Sequence, residues 1–341
     1  MMYESKPPYG SDQDGLVWGY HFAPDQPVLP ITSESAAEFL ASPESAKTGE
    51  FLWLHFSLSN SASEPWLQRN LTLPEAFHES LHSSVGSTRL EQDGDSLVVV
   101  INDVLFNFKF DPSDIATTSL CIEPRLLVSA RLRPLRSVDQ LRAAVRGGHA
   151  FHSTVELLSH LLQDQANVMV NIIRQSTVRV DHIEDRLLAN RISGNRNDLG
   201  TLRRVLVRLQ RLLAPEPAAF FRLLNRPPKW ITETDLKELQ EAAEEFSLAV
   251  NDSAALVERI KILQEEIAAF VNEQTNRTLF ILTIVTVMAL PINMVAGLFG
   301  MNVGGIPLAN HGSGFFWIVG ILLALTVLLA YISLGSYRDK N

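Results

Sequence analysis

LFILTIVTVMALPINMVAGL, residues 279–298, leads through Phe299 into Gly300-Met301-Asn302, an uncharged loop, and a second apolar run, FFWIVGILLALTVLLAYISL, residues 315–334. Each run has twenty residues. At about 1.5 Å of rise per helical residue, that length covers a hydrocarbon core of roughly 30 Å. Two such runs joined by a short loop predict two membrane-crossing helices. Everything before residue 278 is then a large domain on one side of the bilayer. Coupling a large domain to so small a membrane part points to transport.

Composition fits this split. The mean hydropathy of +0.08 averages a polar majority and an apolar tail. A net charge of -9 over 341 residues argues against nucleic acid, whose phosphates call for a basic face, and favours cations as partners. The single cysteine, Cys121, excludes an internal disulfide framework and fits a reducing compartment. Met1 to Gly15 is polar, with no apolar segment of signal-peptide type, so the large domain is expected to stay in the cytoplasm. Arg277 precedes the first run, Arg338 and Lys340 follow the second, and residues 300–314 carry no Lys, Arg, Asp or Glu. By the positive-inside rule both termini are cytoplasmic and the loop faces outward, which in a bacterium is the arrangement of a multi-pass inner-membrane protein.

The first 150 residues read as an α/β domain. Leu16 to Phe22, Phe51 to Leu58, Leu97 to Phe110 and Thr117 to Leu132 are strand-like, with turn signals at Asp93-Gly94-Asp95 and Asp111-Pro112-Ser113. Ser33 to Leu40 and Pro74 to Ser83 have helical spacing, with Pro74 at a first helical position. No Gly-rich phosphate loop, nucleophile elbow or dinucleotide fingerprint occurs, so an enzyme is not expected. From Phe151 the pattern turns to long helices: Thr154 to about Asn190, then, after Ser193-Gly194-Asn195, Leu199 to Leu213. Pro215-Glu216-Pro217 and Pro227-Pro228 mark breaks, and Thr232 to Asp235 supplies N-capping residues. No Gly or Pro follows until Pro291, so one helix is expected to run from the cytoplasm into the membrane. The expected organisation is a cytoplasmic α/β domain (1–150), a helical stalk (151–277), a first span (278–299), an outer loop (300–314), a second span (315–335) and a tail (336–341).

Along that helix the polar and small residues share one stripe. Alternating steps of three and four place Asn276, Leu279, Thr283, Thr286, Leu290, Asn293, Gly297 and Gly300 on one face. Two readings stand: a packing seam between helices, or the lining of an aqueous axis enclosed by several copies. Continued downward, the stripe reaches Asn272, Ala269, Glu265, Ile262, Glu258, Ala255 and Asn251, and from Asp235 to Asn276 ten acidic residues face three basic ones. Glu258 and Glu265 are thus candidates for a funnel that concentrates cations.

Gly300-Met301-Asn302 between two C-terminal spans, with a long helix leading in, resembles the CorA metal-ion transporter family. The wider run GLFGMNVGGIP, Gly297 to Pro307, is similar to the family's ZntB-type zinc-transporting branch. The magnesium branch typically continues into Met-Pro-Glu, whereas Ile306-Pro307-Leu308 has no acid. The resemblance implies a homopentameric funnel with five first spans around the pore and five second spans outside, and an Asn302 ring engaging hydrated cations at the outer mouth, with Gly300 and Met301. Neutral amides suit that task because they hydrogen-bond an ion's water shell without stripping it. The function so implied is zinc transport, favoured as proton-coupled uptake, with zinc as cargo and no resident cofactor. A magnesium, cobalt or nickel channel driven by membrane potential is the alternative; zinc efflux and a non-transporting membrane adaptor rank lower.

Zinc also draws attention to nitrogen and sulfur donors. His78 with His82, and His149 with His152, are spaced like pairs but lack a third ligand, and are expected to be ordinary surface histidines. Cys121 is expected to be a buried small hydrophobe. His311, the one titratable side chain of the outer loop, is a candidate for attracting metal at the entrance.

Overall fold

The computed structural model describes residues 10–41, 49–82, 88–189, 195–301 and 312–338. The chain divides into two compact units, Met1–Gln264 and Glu265–Asn341.

The first unit is built on a seven-stranded sheet in the order β2-β1-β3-β7-β6-β5-β4. Its strands are β1 (Leu16–Phe22), β2 (Leu29–Pro30), β3 (Phe51–Ser57), β4 (Arg89–Asp93), β5 (Ser96–Val104), β6 (Ile115–Glu123) and β7 (Leu126–Arg131). Only β3 and β7 pair in parallel, with Trp53 opposite Leu127. All other pairs are antiparallel. In β3 every residue from Phe51 to Phe56 is buried, because both faces of the sheet are covered. Leu52, Leu54 and Phe56 pack with Val98, Cys121 and Val128 against Ala36 of α1 (Ser33–Ala41), Trp66 and Leu67 of α2 (Ser63–Asn70) and Phe77 of α3 (Glu75–Leu81). On the opposite face lies a polar cluster. Buried His55 receives Arg131 Nε–H at Nε2 (2.9 Å), leaving Nδ1–H to donate to Ser129 Oγ (2.7 Å), and its ring stacks on Trp18 at 4.1 Å. Burial first, then the charges of Arg131 and Arg142, hold the His55 pKa well below its ordinary value.

Several expectations are revised. The run from Thr117 to Leu132 is two strands, because Pro124-Arg125 turns the chain and residues 118 and 131 pair across β6 and β7. The run from Leu97 ends as a strand at Val104, after which Leu105 bridges Leu135. Pro74 caps α3 from outside rather than occupying its first turn. α2 and α4 (Arg136–Arg146) form where no helix was expected. α6 (Asn195–Leu213) ends before Pro215-Glu216-Pro217 as expected, but the same prolines also begin α7 (Pro215–Asn225), with Pro at its first position, where the missing N–H costs nothing.

α5 (Thr154–Leu188) is capped by Ser153, whose Oγ accepts the N–H of Glu156. α8 (Glu233–Phe299) starts with a reciprocal cap: Thr232 Oγ1 accepts the N–H of Asp235 (3.1 Å), and Asp235 Oδ2 accepts the N–H of Thr232 (3.2 Å). α8 is one uninterrupted helix of 67 residues that contains Pro291, as the absence of earlier helix breakers requires. Among the described residues it is the one helix long and apolar enough to cross a membrane. Its most apolar window has no buried residue, which separates it from the core helix of a soluble protein. α9 (Gly314–Arg338) is a second apolar helix.

Candidate functional site

The buried face of α8 within the first unit runs through Leu239, Ala242, Phe246, Val250, Ser253, Leu256, Ile260 and Leu263. Each candidate stripe position from Asn251 to Glu265 lies one or two residues from these, and at about 100° per residue most of the stripe falls on the opposite side of the helix. Asn251, Ala255, Glu258, Ile262, Glu265, Ala269, Asn272 and Asn276 are all exposed. The row continues without a break: Leu279, Thr283, Thr286, Leu290, Asn293, Gly297, Gly300 and Met301 are exposed as well. In this segment half-burial is confined to Phe280, Ile284, Met288, Ala289, Pro291 and Val295, a line displaced around the helix from the polar one. The polar stripe is therefore not a seam covered by the same chain. Asn302 and His311 lie outside the described residues.

Side-chain chemistry varies along the stripe. Thr283 Oγ1 donates to the Leu279 carbonyl (2.8 Å) and Thr286 Oγ1 to the Leu282 carbonyl (2.9 Å), so both hydroxyl protons are satisfied within the helix. Their oxygen lone pairs remain open to an outside donor such as water. Leu279 and Leu290, 54% and 64% exposed, place apolar rings between these polar positions if copies surround an axis.

Toward the cytoplasm the acidic stretch is partly neutralised. Glu258 Oε1 accepts from Lys261 Nζ at 3.0 Å, Lys237 lies 3.8 Å from Glu241, and Arg259 contacts Asp181 and Glu184 of α5. Each of the three basic residues of this stretch thus has an acidic partner. Glu265 is exposed on the stripe and forms no salt bridge among the described residues.

The histidine pairs do not form metal centres. Among the described residues no three His, Cys, Asp or Glu side chains are grouped to hold a metal. His82 faces Glu64 (3.0 Å), and His152 faces Glu156 (3.3 Å). The ring nearest His149 is His160, at 5.2 Å, so the spatial pairing is not the one spacing suggested. Cys121 is fully buried, and burial pushes its thiol pKa far up.

A profile for the family described as "CorA-like Mg2+ transporter protein" matches residues 48–334, which takes in strands β3 to β7, α8 and most of α9. The chain belongs to the CorA family. Among its relatives is the divalent cation transporter CmaX of Pseudomonas aeruginosa, 30% identical over 317 residues, an alignment covering 92% of this chain and 93% of CmaX. The zinc transport protein ZntB of Yersinia enterocolitica is 26% identical over 291 residues, covering 85% of this chain and 89% of ZntB. The structure of full-length CmaX superposes with a TM-score of 0.78 at 28% identity, covering 96% of this chain and 98% of CmaX. The CorA magnesium transporter of Methanocaldococcus jannaschii shares the fold at a TM-score of 0.74 and 18% identity, over 95% of this chain and 98% of that one. CorA family members are transporters and channels, not enzymes, and this chain is a divalent cation transporter of that family.

What the sequence did not disclose is a buried acidic group in the first unit. Asp103 (β5), Asp164 (α5) and Glu216 (α7) come together from segments far apart in the chain. Burial raises Asp103 to about 6 and Asp164 to about 7, in Asp164 with help from the Asp103 charge. Glu216 is raised well above its ordinary value for the same first reason. The one available signal was Glu216 itself, a charged residue between two prolines at a helix start.

Proposed function

We propose that the chain is a zinc transporter of the bacterial inner membrane, assembled as a homopentamer in which α8 of each subunit lines a central pore and α9 lies outside it. The continuous exposed stripe from Asn251 to Gly300 carries this reading. A face with Asn and Thr at bilayer depth, left uncovered by its own chain, calls for partner copies or water. Several copies around an axis supply both. Asn302 then completes the outer mouth, His311 lies at the entrance, and both termini are cytoplasmic.

Zinc is favoured by the sequence GLFGMNVGGIP and by the ZntB relatives. The direction proposed is uptake coupled to protons. Neither apolar run contains Asp, Glu or His, so the protons would move with the permeant species along pore water rather than through an intramembrane carboxylate. The same lack of a relay favours a second reading, a channel for magnesium, cobalt or nickel driven by membrane potential.

Two measurements test this. Native mass spectrometry in detergent should give the mass of five 38.0 kDa chains; a dimer would leave no room for a pore and would end the proposal. In liposomes carrying zinc- and pH-sensitive dyes, zinc influx should rise with an inward proton gradient and exceed the flux of magnesium, cobalt and nickel. Flux of all four ions that ignores the gradient would select the second reading.

A further inference from the structure

The two parallel strands of the first unit end side by side and then part. β3 and β7 stay in register as far as Ser57 opposite Arg131. From β3 the chain turns to α2, whose Trp66 and Leu67 pack with Leu54 and Phe56 on one face of the sheet. From β7 it turns to α4, whose Arg142 lies over the Trp18 ring at 4.4 Å on the other face, where Trp18 stacks on His55. Neighbouring parallel strands whose connections leave for opposite faces open a crevice beyond their carboxyl ends, and open α/β sheets bind ligands in such crevices. Here the crevice has a volume of about 510 Å³. That is within the range of small-molecule sites, about 300–1,000 Å³.

The crevice is held open by fixed backbone, and its lining is mixed. Leu58 N–H donates to the Arg131 carbonyl (2.8 Å) and Ser59 Oγ–H to the Leu132 carbonyl (2.9 Å), so the two departing segments are tied together where they leave the strands. Leu58, Leu81 and Leu132 supply apolar surface, and Leu132 is 60% exposed. Two charged groups with spare hydrogen-bonding capacity join them. Arg133 forms no salt bridge among the described residues, and its Nη1 donates to the Ser113 carbonyl at a long 3.4 Å. Asp111 and Asp114, on either side of Ser113, accept N–H groups of their own loop instead. Glu64 of α2 meets His82 Nε2 through Oε1 (3.0 Å), and its Oε2 has no partner among the described residues. Thr117 of β6 adds a half-buried hydroxyl.

We propose that this crevice binds a free α-amino acid with an apolar side chain. One guanidinium and one carboxylate in the same lining match a zwitterion better than a net anion or a net cation. Arg133 takes the ligand's carboxylate in paired hydrogen bonds, Glu64 Oε2 accepts from its ammonium group, and the leucines cover its side chain. A metal ion fits less well, because among the described residues no third His, Cys, Asp or Glu joins His82 and Glu64.

The test uses the full-length protein in metal-free buffer, with thermal unfolding and isothermal titration as readouts. The probes are leucine, leucinamide, which lacks the carboxylate, N-acetyl-leucine, which lacks the ammonium group, and glycine, which lacks the side chain. Leucine should raise the unfolding midpoint, and each of the other three should bind about tenfold or more weakly. Arg133→Gln should erase the preference for leucine over leucinamide, and Glu64→Gln the preference over N-acetyl-leucine, while Lys229→Gln, outside the crevice, should leave both intact. Midpoints without ligand check that each variant folds; should one fail to, the other decides through its own analogue. No response to leucine overturns the proposal, as does any of the three analogues binding as tightly as leucine, or Arg133→Gln and Glu64→Gln both behaving like Lys229→Gln. These readouts are independent of ion flux, so they stand or fall separately from the zinc reading.

Discussion

Glu216 accepts the backbone N–H of Asn102 through Oε1 at 2.7 Å, with both residues fully buried, and so fixes the start of α7 to β5, next to the edge of the sheet. Gln165 closes the arrangement by donating its Nε2–H to the Asn102 carbonyl at 2.8 Å. Burial is the largest influence on Glu216, and the Asp103 charge adds to it, so the protonated form is favoured despite the hydrogen bonds from Asn102 and Gln165. Asp103, whose oxygens accept the N–H groups of Val104 and Ser137, titrates near 6, and Asp164 near 7. His160, 3.8 Å from Asp164, is itself lowered by burial and by His149. Folded, these carboxyls keep protons that the unfolded chain releases near pH 4. The stability they contribute is complete below that value and is lost as pH rises through about 6 and about 7. The unfolding midpoint of the detergent-solubilised chain should therefore fall by several degrees between pH 5 and pH 8, on the order of 2–4 °C per kcal/mol. A midpoint that rises across that interval would contradict the assignment.

Substitution at the same residue separates charge from hydrogen bonding. Glu216→Gln keeps an acceptor for Asn102 and removes the ionisable group, so it should match or exceed the parent at pH 8 and flatten the pH profile. Glu216→Leu leaves the Asn102 N–H without its acceptor and should cost about 1–3 kcal/mol at any pH. Midpoints of the two variants at both ends of the range check this; equal behaviour of Gln and Leu would remove the hydrogen bond from the account.

Arg259 offers a contrast at the surface. It reaches from α8 to Asp181 (2.8 Å) and Glu184 on α5, but its side chain is 44% exposed and the acids are similarly open. Solvent screening discounts such a pair, so Arg259→Ala should cost about 1 kcal/mol or less and the cost should shrink in high salt. Unfolding midpoints of both forms at low and high salt measure it. A large, salt-independent loss would mean that the aliphatic part of the side chain, not the charge, holds α5 to α8.

Sequence periodicity carried the long-range order of α5 and α8 because neither depends on distant partners. Thr232 and Asp235 cap locally, no breaker follows before Pro291, and the stripe from Asn251 to Gly297 needs only a helical period to be seen. The elements that escaped depend on tertiary contacts. α4 is amphipathic but short, and its register against β5 is set by Ser137 N–H donating to Asp103, 34 residues earlier. The two strands from Thr117 to Leu132 read as one because both are buried on both faces, the mark of a sheet covered on each side, and so show no alternation that would mark a turn. The carboxyl group of Asp103, Asp164 and Glu216 has no local spacing at all.

Cys121 makes a simple probe of the core. Fully buried in β6, with burial pushing its thiol pKa far up, it has neither access nor thiolate character. The folded chain should fail to react with a thiol reagent over hours and react stoichiometrically once unfolded. Rapid labelling without unfolding would show that the sheet opens locally far more often than its packing suggests.

The pore stripe is best tested where its chemistry differs from position to position. Thr283 has its hydroxyl proton bound to the Leu279 carbonyl, so Thr283→Val removes one bond within the helix and one outward-facing oxygen, and zinc flux should fall only a few-fold. Asn293 is exposed on the stripe, and its side chain has no hydrogen-bond partner among the described residues. Asn293→Leu converts a ring of amides into an apolar ring three residues from Leu290, lengthening any dewetted segment, and flux should drop at least tenfold. On the proposed reading, Asn302→Ala should nearly abolish transport while leaving assembly intact. Flux into liposomes, normalised to oligomer recovered in detergent, reads all three. Were Thr283→Val as damaging as Asn293→Leu, with assembly lost in both, the stripe would be a packing seam between subunits. Normal flux in all three variants would mean that the ion takes another path.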